Sequence, residues 1–215
     1  MCSEQDCDKV RKKAEKALMN TTLRDIVGLG HQPSALSDSA LIMIDCQNTY
    51  RQGVMQLEGV EAALKQAQRL LQMARDNGVP VFHIQHDGGA GSPYDLNTAL
   101  GEIAEEVAPA DGEHVITKNF PNAFVQTPLD EYLRGQGIDN IILAGFMTHM
   151  CVNSTAHGGF NLGYNPTVVA SATATRSLDA PDGSILPARQ VHEAALASTR
   201  DLYAAVINSV DDLKL

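Results

Sequence analysis

ALIMIDCQNTYRQGVMQLEGVEAALKQAQRLLQMARDNGVPVFHIQ, residues 40–85, holds two strand-length apolar runs, ALIMID at 40–45 and VPVFHIQ at 79–85, around a segment of helical period. In that segment Val60, Ala63, Leu64, Ala67, Leu70, Leu71 and Ala74 recur at three- and four-residue intervals, which places them on one face of a helix. Glu61 and Lys65 are spaced for an i,i+4 ion pair, and Asn77-Gly78 supplies a stop. Strand, amphipathic helix and strand in this order predict a β-α-β unit, because parallel strands need a crossover of about this length.

The alternation continues outward. Further apolar runs are HVIT at 114–117, NIILAG at 140–145, PTVVAS at 166–171 and YAAVIN at 203–208. Thr127-Pro128 opens a helix with Leu129, Tyr132 and Leu133 inward and Gly135 and Gly137 at its end, and further helices fit 151–162 and 188–202. Continuous apolar strands between amphipathic helices imply a parallel sheet covered on both faces, hence a doubly wound α/β domain of about six strands. Upstream, DKVRKKAEKALMN at 8–20 puts Val10, Ala14, Ala17 and Leu18 on one stripe, and GLGHQPSALSDS at 28–39 has the turn chemistry of a linker. The expected organisation is a helical arm and linker over 1–37 and one domain over 38–215, without internal repeats.

The 215 residues carry 16 basic and 26 acidic side chains, a formal charge of −10, which argues against nucleic acid and anionic membrane surfaces and for a small-molecule partner. With no tryptophan and few aromatics, stacking platforms for bases are also unexpected. No apolar run approaches the roughly 20 residues that cross a bilayer, and no secretory signal is evident, so a soluble cytoplasmic protein is expected. Cys2 and Cys7 lie in the N-terminal arm and Cys46 and Cys151 in apolar segments, a distribution unlike a disulfide framework.

In open parallel sheets ligands bind beyond the carboxyl ends of the strands. The polar residues there are Asp45, Lys118 and Cys151, the last in the turn GFMTHMC before a helix. A thiol at a helix N-terminus, near a lysine, has its pKa lowered from about 8.5. Asp45 can take and return its proton, and the N–H groups of Met147 and Cys151 can face a carbonyl oxygen as it becomes an oxyanion. Taken alone, Cys151 is more often an inert buried thiol and Lys118 a solvated lysine, and Asp45 is as often a turn cap as a base. Their shared position at strand ends brings the chemical reading level with these. Cys46 should point away from Asp45 and pack. His83 and His86 match no familiar zinc spacing, HEAAL at 192–196 lacks a second histidine, and GLG at 28–30 precedes the first core strand, so no metal or cofactor is expected. His149 either lines the pocket or stands aside.

LIMIDCQNTY (41–50), VITKNFPNAF (115–124) and LAGFMTHMCVNSTAHGGFNLGY (143–164) resemble the three signature blocks of the isochorismatase-like cysteine hydrolases, and the resemblance spans about 38–178. It implies a Rossmann-like sheet of order 3-2-1-4-5-6, a triad of Asp45, Lys118 and Cys151, and a cis peptide bond between Phe146 and Met147 that makes the Met147 N–H an oxyanion donor. It also implies self-association as a dimer or tetramer. Metal-binding nicotinamidases of the family carry an Asp-x-His pair and a further histidine after the second strand, and HIQHDGGAGSPYDLN at 83–97 has no such arrangement. Isochorismatases proper cleave a vinyl ether without a nucleophilic cysteine, so the presence of Cys151 favours attack on an amide-like carbonyl. The candidate pocket walls are Tyr50, Phe120, Phe124 and His149, with Gln47 and Asn48 holding the loop after the first strand. The alternatives are ether hydrolysis and a non-catalytic member that binds a metabolite or partner subunit. With the implied strand order, Lys118 must reach across to Asp45.

Overall fold

Six strands form one parallel sheet: β1 (Ser39–Ile44), β2 (Val81–His86), β3 (His114–Lys118), β4 (Asn140–Phe146), β5 (Asn165–Ala174) and β6 (Ala205–Ile207). Counted within this sheet their order is 3-2-1-4-5-6, as the resemblance implies. This computed structural model describes residues 21–215, and the helix expected over 8–20 lies outside them. The helices are α1 (Leu23–Ile26), α2 (Val60–Asp76), α3 (Leu129–Gly135), α4 (Asn153–Asn161) and α5 (Ala188–Leu202). A small antiparallel hairpin pairs Leu178 with Leu186.

The central strand shows why the sheet is covered on both sides. All six β1 residues are buried. Leu41 and Met43 face the core under α2, whereas Ala40, Ile42 and Ile44 face the core shared by α3 and α4. Alternation with period two thus feeds two hydrophobic cores from one apolar run. The seven apolar residues assigned to one face of α2 are all buried.

Three local expectations are corrected. The Glu61 carboxylate is taken not by Lys65 but by Arg51, 2.8 Å away on the loop after β1, which also binds Glu106. Tyr132 is 38 % exposed: Leu129 and Leu133 complete the buried face of the short α3, and the tyrosine stacks over His114 at its margin. β5 extends further than the apolar run suggested. Leu143 of β4 pairs with Val168 but Gly145 with Thr173, so two steps on β4 match five on β5, and this bulge carries Thr173–Thr175 toward the strand ends.

Edge strand β3 is anchored by charge. Glu113 accepts from Arg75 Nε at 2.7 Å and from His83 Nε2 at 2.8 Å. Burial opposes its ionisation, but Arg75, the Ala110 N–H and His83 outweigh burial and bring its pKa down to about 2. A carboxylate depressed in the folded state adds stability that is complete above its unfolded pKa of about 4.3 and fades as the pH falls toward 2. Glu113→Gln is therefore expected to lose roughly 2–3 kcal/mol at pH 7 in urea denaturation, with the deficit vanishing near pH 2. A deficit independent of pH would contradict this account.

Candidate active site

Asp45 follows β1 directly, with a left-handed backbone (φ 47) that aspartate tolerates better than most residues. Its N–H donates to the Ile84 carbonyl at 2.9 Å, and its own carbonyl accepts the Gln47 N–H at 2.7 Å. Lys118 ends β3, two strands away from β1, and pairs in register with His86 at the end of β2. Its buried side chain crosses the end of β2, which answers how it reaches Asp45: Nζ lies 2.7 Å from Asp45 Oδ2. The same nitrogen is 3.4 Å from Cys151 Sγ and 3.2 Å from His86 Nδ1. The Asp45 and Cys151 side chains also touch each other.

Cys151 lies in a widened turn, Thr148–Val152, between β4 and α4, where the Val152 N–H donates to the Met147 carbonyl at 3.2 Å. The Phe146–Met147 peptide bond is cis. Polar contacts fasten the turn from behind: Thr148 Oγ1 to His192 Nδ1 at 2.9 Å, and His149 Nδ1 to Thr175 Oγ1.

The electrostatics correct one expectation. Burial, and then the Asp45 carboxylate, push the Cys151 thiol up to about 12 against the opposing pull of Lys118. The strand-end rule implied a depressed thiol, but desolvation of a nearly enclosed sulfur exceeds the help of one shared cation. Burial likewise raises Asp45, with Lys118 opposing. A buried carboxylate in contact with both the ammonium and the thiol can accept the thiol's proton, and the ammonium can balance whichever of the two is ionised.

The other predicted residues are spread more widely. Cys46 packs in the opposite core, under α2, as its position after Asp45 suggested. Tyr50 is buried, edge-on to Tyr94 and Phe146 at 5.8 and 5.6 Å. Phe120 is exposed, whereas Phe124 stacks on Tyr164 at 5.4 Å within the core beneath α4. His149 is half-buried, and burial and then Arg176 lower its pKa. Gln47 and Asn48 hold the loop after β1: Gln47 Nε2 donates to Gly101 O at 2.8 Å and Asn48 Nδ2 to Ala99 O at 2.9 Å.

Three neighbours escaped the sequence reading as parts of this site. His86, weighed only as a metal ligand, is the polar residue closing the second apolar run, so the rule that found Asp45 applies to it as well. Tyr94 comes from the long loop after β2 and meets His86 edge-on at 5.0 Å. Arg176 follows the β5 bulge and acts on both His149 and Tyr94; its buried Nε has no hydrogen-bond partner among the described residues. Among those residues no group of three or more His, Cys, Asp or Glu side chains is placed to hold a metal ion.

A doubly wound sheet with a thiol, a carboxylate and an ammonium gathered at its carboxyl end has the arrangement of an α/β protein whose site lies at the strand ends. Residues 39–211 match the Isochorismatase domain, and the chain is a member of that family of hydrolases. It is 32 % identical to the secreted isochorismatase effector Isc1 of Verticillium dahliae, over 89 % of this chain and 98 % of that protein. It is 31 % identical to the maleamate amidohydrolase of Pseudomonas putida, over 87 % of this chain and 88 % of that enzyme. The crystal structure of an isochorismatase from Pseudomonas putida superposes with a TM-score of 0.86 at 37 % identity, covering 90 % of this chain and 98 % of that one. Because one relative is named as secreted, family membership does not fix the compartment. Among the described residues no helix is long and apolar enough to cross a membrane.

A raised thiol pKa has a direct readout. In the absence of substrate, alkylation of Cys151 by iodoacetamide, followed on its own peptide by mass spectrometry, is expected to keep rising past pH 9. A plateau below pH 8 would show a resting thiolate instead.

Proposed function

We propose that this hydrolase cleaves a small amide or a related carbon–nitrogen bond with Cys151 as nucleophile. The observation that carries the reading is the convergence of three groups on one buried point, with Lys118 Nζ 2.7 Å from Asp45 Oδ2 and 3.4 Å from Cys151 Sγ. Asp45 takes the thiol proton as Sγ bonds to the carbonyl carbon, and the oxyanion rests on the backbone N–H groups of Met147 and Cys151. Collapse expels the amine, which receives the proton from Asp45 and leaves a thioester. Asp45 then removes a proton from water, the resulting hydroxide attacks the thioester, and the proton returns to sulfur as the acid departs. Lys118 stays charged throughout and balances the single anion of each state.

The maleamate amidohydrolase, one of the relatives, supports carbon–nitrogen chemistry, and Arg176 supports a substrate bearing a carboxylate. Among the described residues this cation has no acidic partner, yet it acts on two groups that flank the thiol turn. Maleamate, the substrate in the name of the Pseudomonas putida relative, is an amide with such a carboxylate. Exposed Val54, Ile185 and Leu186 support the proposed self-association, a cytoplasmic location belongs to the same proposal, and residues 38–215 are taken as the hydrolase unit.

Purified protein screened on short amides and carbamoyl compounds, with and without a carboxylate, is expected to turn over the acidic ones. Cys151→Ala should lower that turnover by about 10³-fold or more, and mass spectrometry of quenched wild-type enzyme should show an acyl adduct on Cys151. Full amide turnover in Cys151→Ala would defeat the reading, and cleavage of a vinyl ether such as isochorismate that survives the same substitution would favour ether hydrolysis. Arg176→Met should raise KM for acidic amides about 10–100-fold, the cost of one charge-assisted contact, and leave neutral amides nearly unchanged. Equal effects on both classes would remove the carboxylate from the proposal.

A further inference from the structure

We infer that His86 is a positioning residue of this hydrolase: its Nδ1 accepts an N–H of Lys118 and so holds the ammonium where it serves both Asp45 and Cys151. The inference rests on the cysteine mechanism proposed above and concerns how one cation is kept within reach of both acidic groups.

The geometry begins with the sheet. His86 and Lys118 are partners in register at the carboxyl ends of β2 and β3, so the lysine side chain cannot reach Asp45 without passing the imidazole. The backbone of His86 is held on both sides by one fully buried residue: Gln47 Oε1 accepts its N–H and Gln47 Nε2 donates to its carbonyl, each at 2.9 Å. Its ring is set edge-on against Tyr94 at 5.0 Å. Main chain and ring are thus fixed independently of Lys118.

An ammonium has donors and no acceptor, so the 3.2 Å contact between Nζ and Nδ1 requires a lone pair on Nδ1. The ring is therefore neutral, with its proton on Nε2. Burial, and then the adjacent Lys118 charge, bring its pKa down to about 4, in keeping with that state. Nζ also donates to Cys151 Sγ at 3.4 Å and lies 2.7 Å from Asp45 Oδ2, so three groups share the one ammonium. The imidazole is the neutral member of the three and holds the cation between the two acids. Without it the lysine is free to swing from the sulfur, and the thiolate loses part of the charge that stabilises it.

Two substitutions separate this role from packing. His86→Leu removes the acceptor; His86→Asn keeps one, since Asn Oδ1 stands as many bonds from Cα as His Nδ1. In His86→Leu, alkylation of Cys151 by iodoacetamide at pH 8.5 is expected to slow about tenfold, as a rise of roughly one pKa unit would give. On an acidic amide kcat should fall by a similar factor with KM within about twofold, the pattern of an interaction realised in the transition state. His86→Asn should stay within about threefold of wild type in both measurements. Circular dichroism and thermal melts establish that each variant is folded. Wild-type alkylation in folded His86→Leu would overturn the inference, as would a folded His86→Asn slowed tenfold; if His86→Leu does not fold, the asparagine variant alone decides. Because alkylation needs no turnover, failure here is distinct from failure of the proposed hydrolysis, which is judged by Cys151→Ala.

Discussion

One buried cation faces two acidic groups, and much of this protein is arranged around that imbalance. Lys118 has no solvent to share its charge, and an ion withdrawn from water costs several kcal/mol unless an opposite charge is close by. Asp45 and Cys151 both lie within reach of Nζ, but a single positive charge can balance only one anion in a dry site. Burial accordingly raises both acids. A proton passing from sulfur to carboxylate leaves the total charge of the group unchanged, so the transfer needs little rearrangement of its surroundings. In the proposed mechanism this makes a protonated thiol a workable resting state: the nucleophile is generated when it is needed.

The fold supplies that constraint through strand order. Parallel strands place all their carboxyl ends on one edge, and β1, β3 and β4 each bring one member of the group to it. With β2 between β1 and β3, the lysine has to span a strand, and the residue it spans is His86. A charged side chain of that length needs a guide across a buried surface, which the imidazole and the Gln47 clamp provide. The bulge in β5 performs the corresponding service on the other side, bringing Thr175 to His149 and Arg176 beyond it.

How much of this is legible in sequence depends on how local the cause is. Apolar runs and helical spacing depend on near neighbours, so the strands, the buried face of α2 and the strand-end positions of Asp45, Lys118 and Cys151 could be read directly. The partner of Glu61 could not, because Arg51 reaches it from a folded-back loop. Phe124 is the last residue of a signature block yet packs on Tyr164, forty residues on in the chain. The direction of the Cys151 shift is not legible for a similar reason: a helix N-terminus and a lysine are visible in sequence, but the degree of enclosure that outweighs them exists only after folding. Arg176 was hidden by the bulge, since the apolar run ends at Ser171 and gives no sign that the strand resumes its pairing at Thr173.

The same charge accounting bears on substrate choice. A carboxylate brought into the site cannot draw on Lys118, which is already engaged with Asp45 and Cys151, so an acidic substrate requires a second, uncommitted cation. Arg176 meets that description among the described residues. The overall charge of −10 does not argue against an anionic ligand, because at physiological salt surface charges are screened beyond about 8 Å. Within that distance the local pattern governs, and a guanidinium with a buried, unpartnered Nε is a stronger attraction than a diffuse surface charge is a deterrent. An arginine also fixes the orientation of a carboxylate through paired donors. On the proposed reading, the distance between the carboxylate and the scissile carbonyl thus sets which amides place their carbon against Sγ, and specificity becomes a matter of length as well as charge.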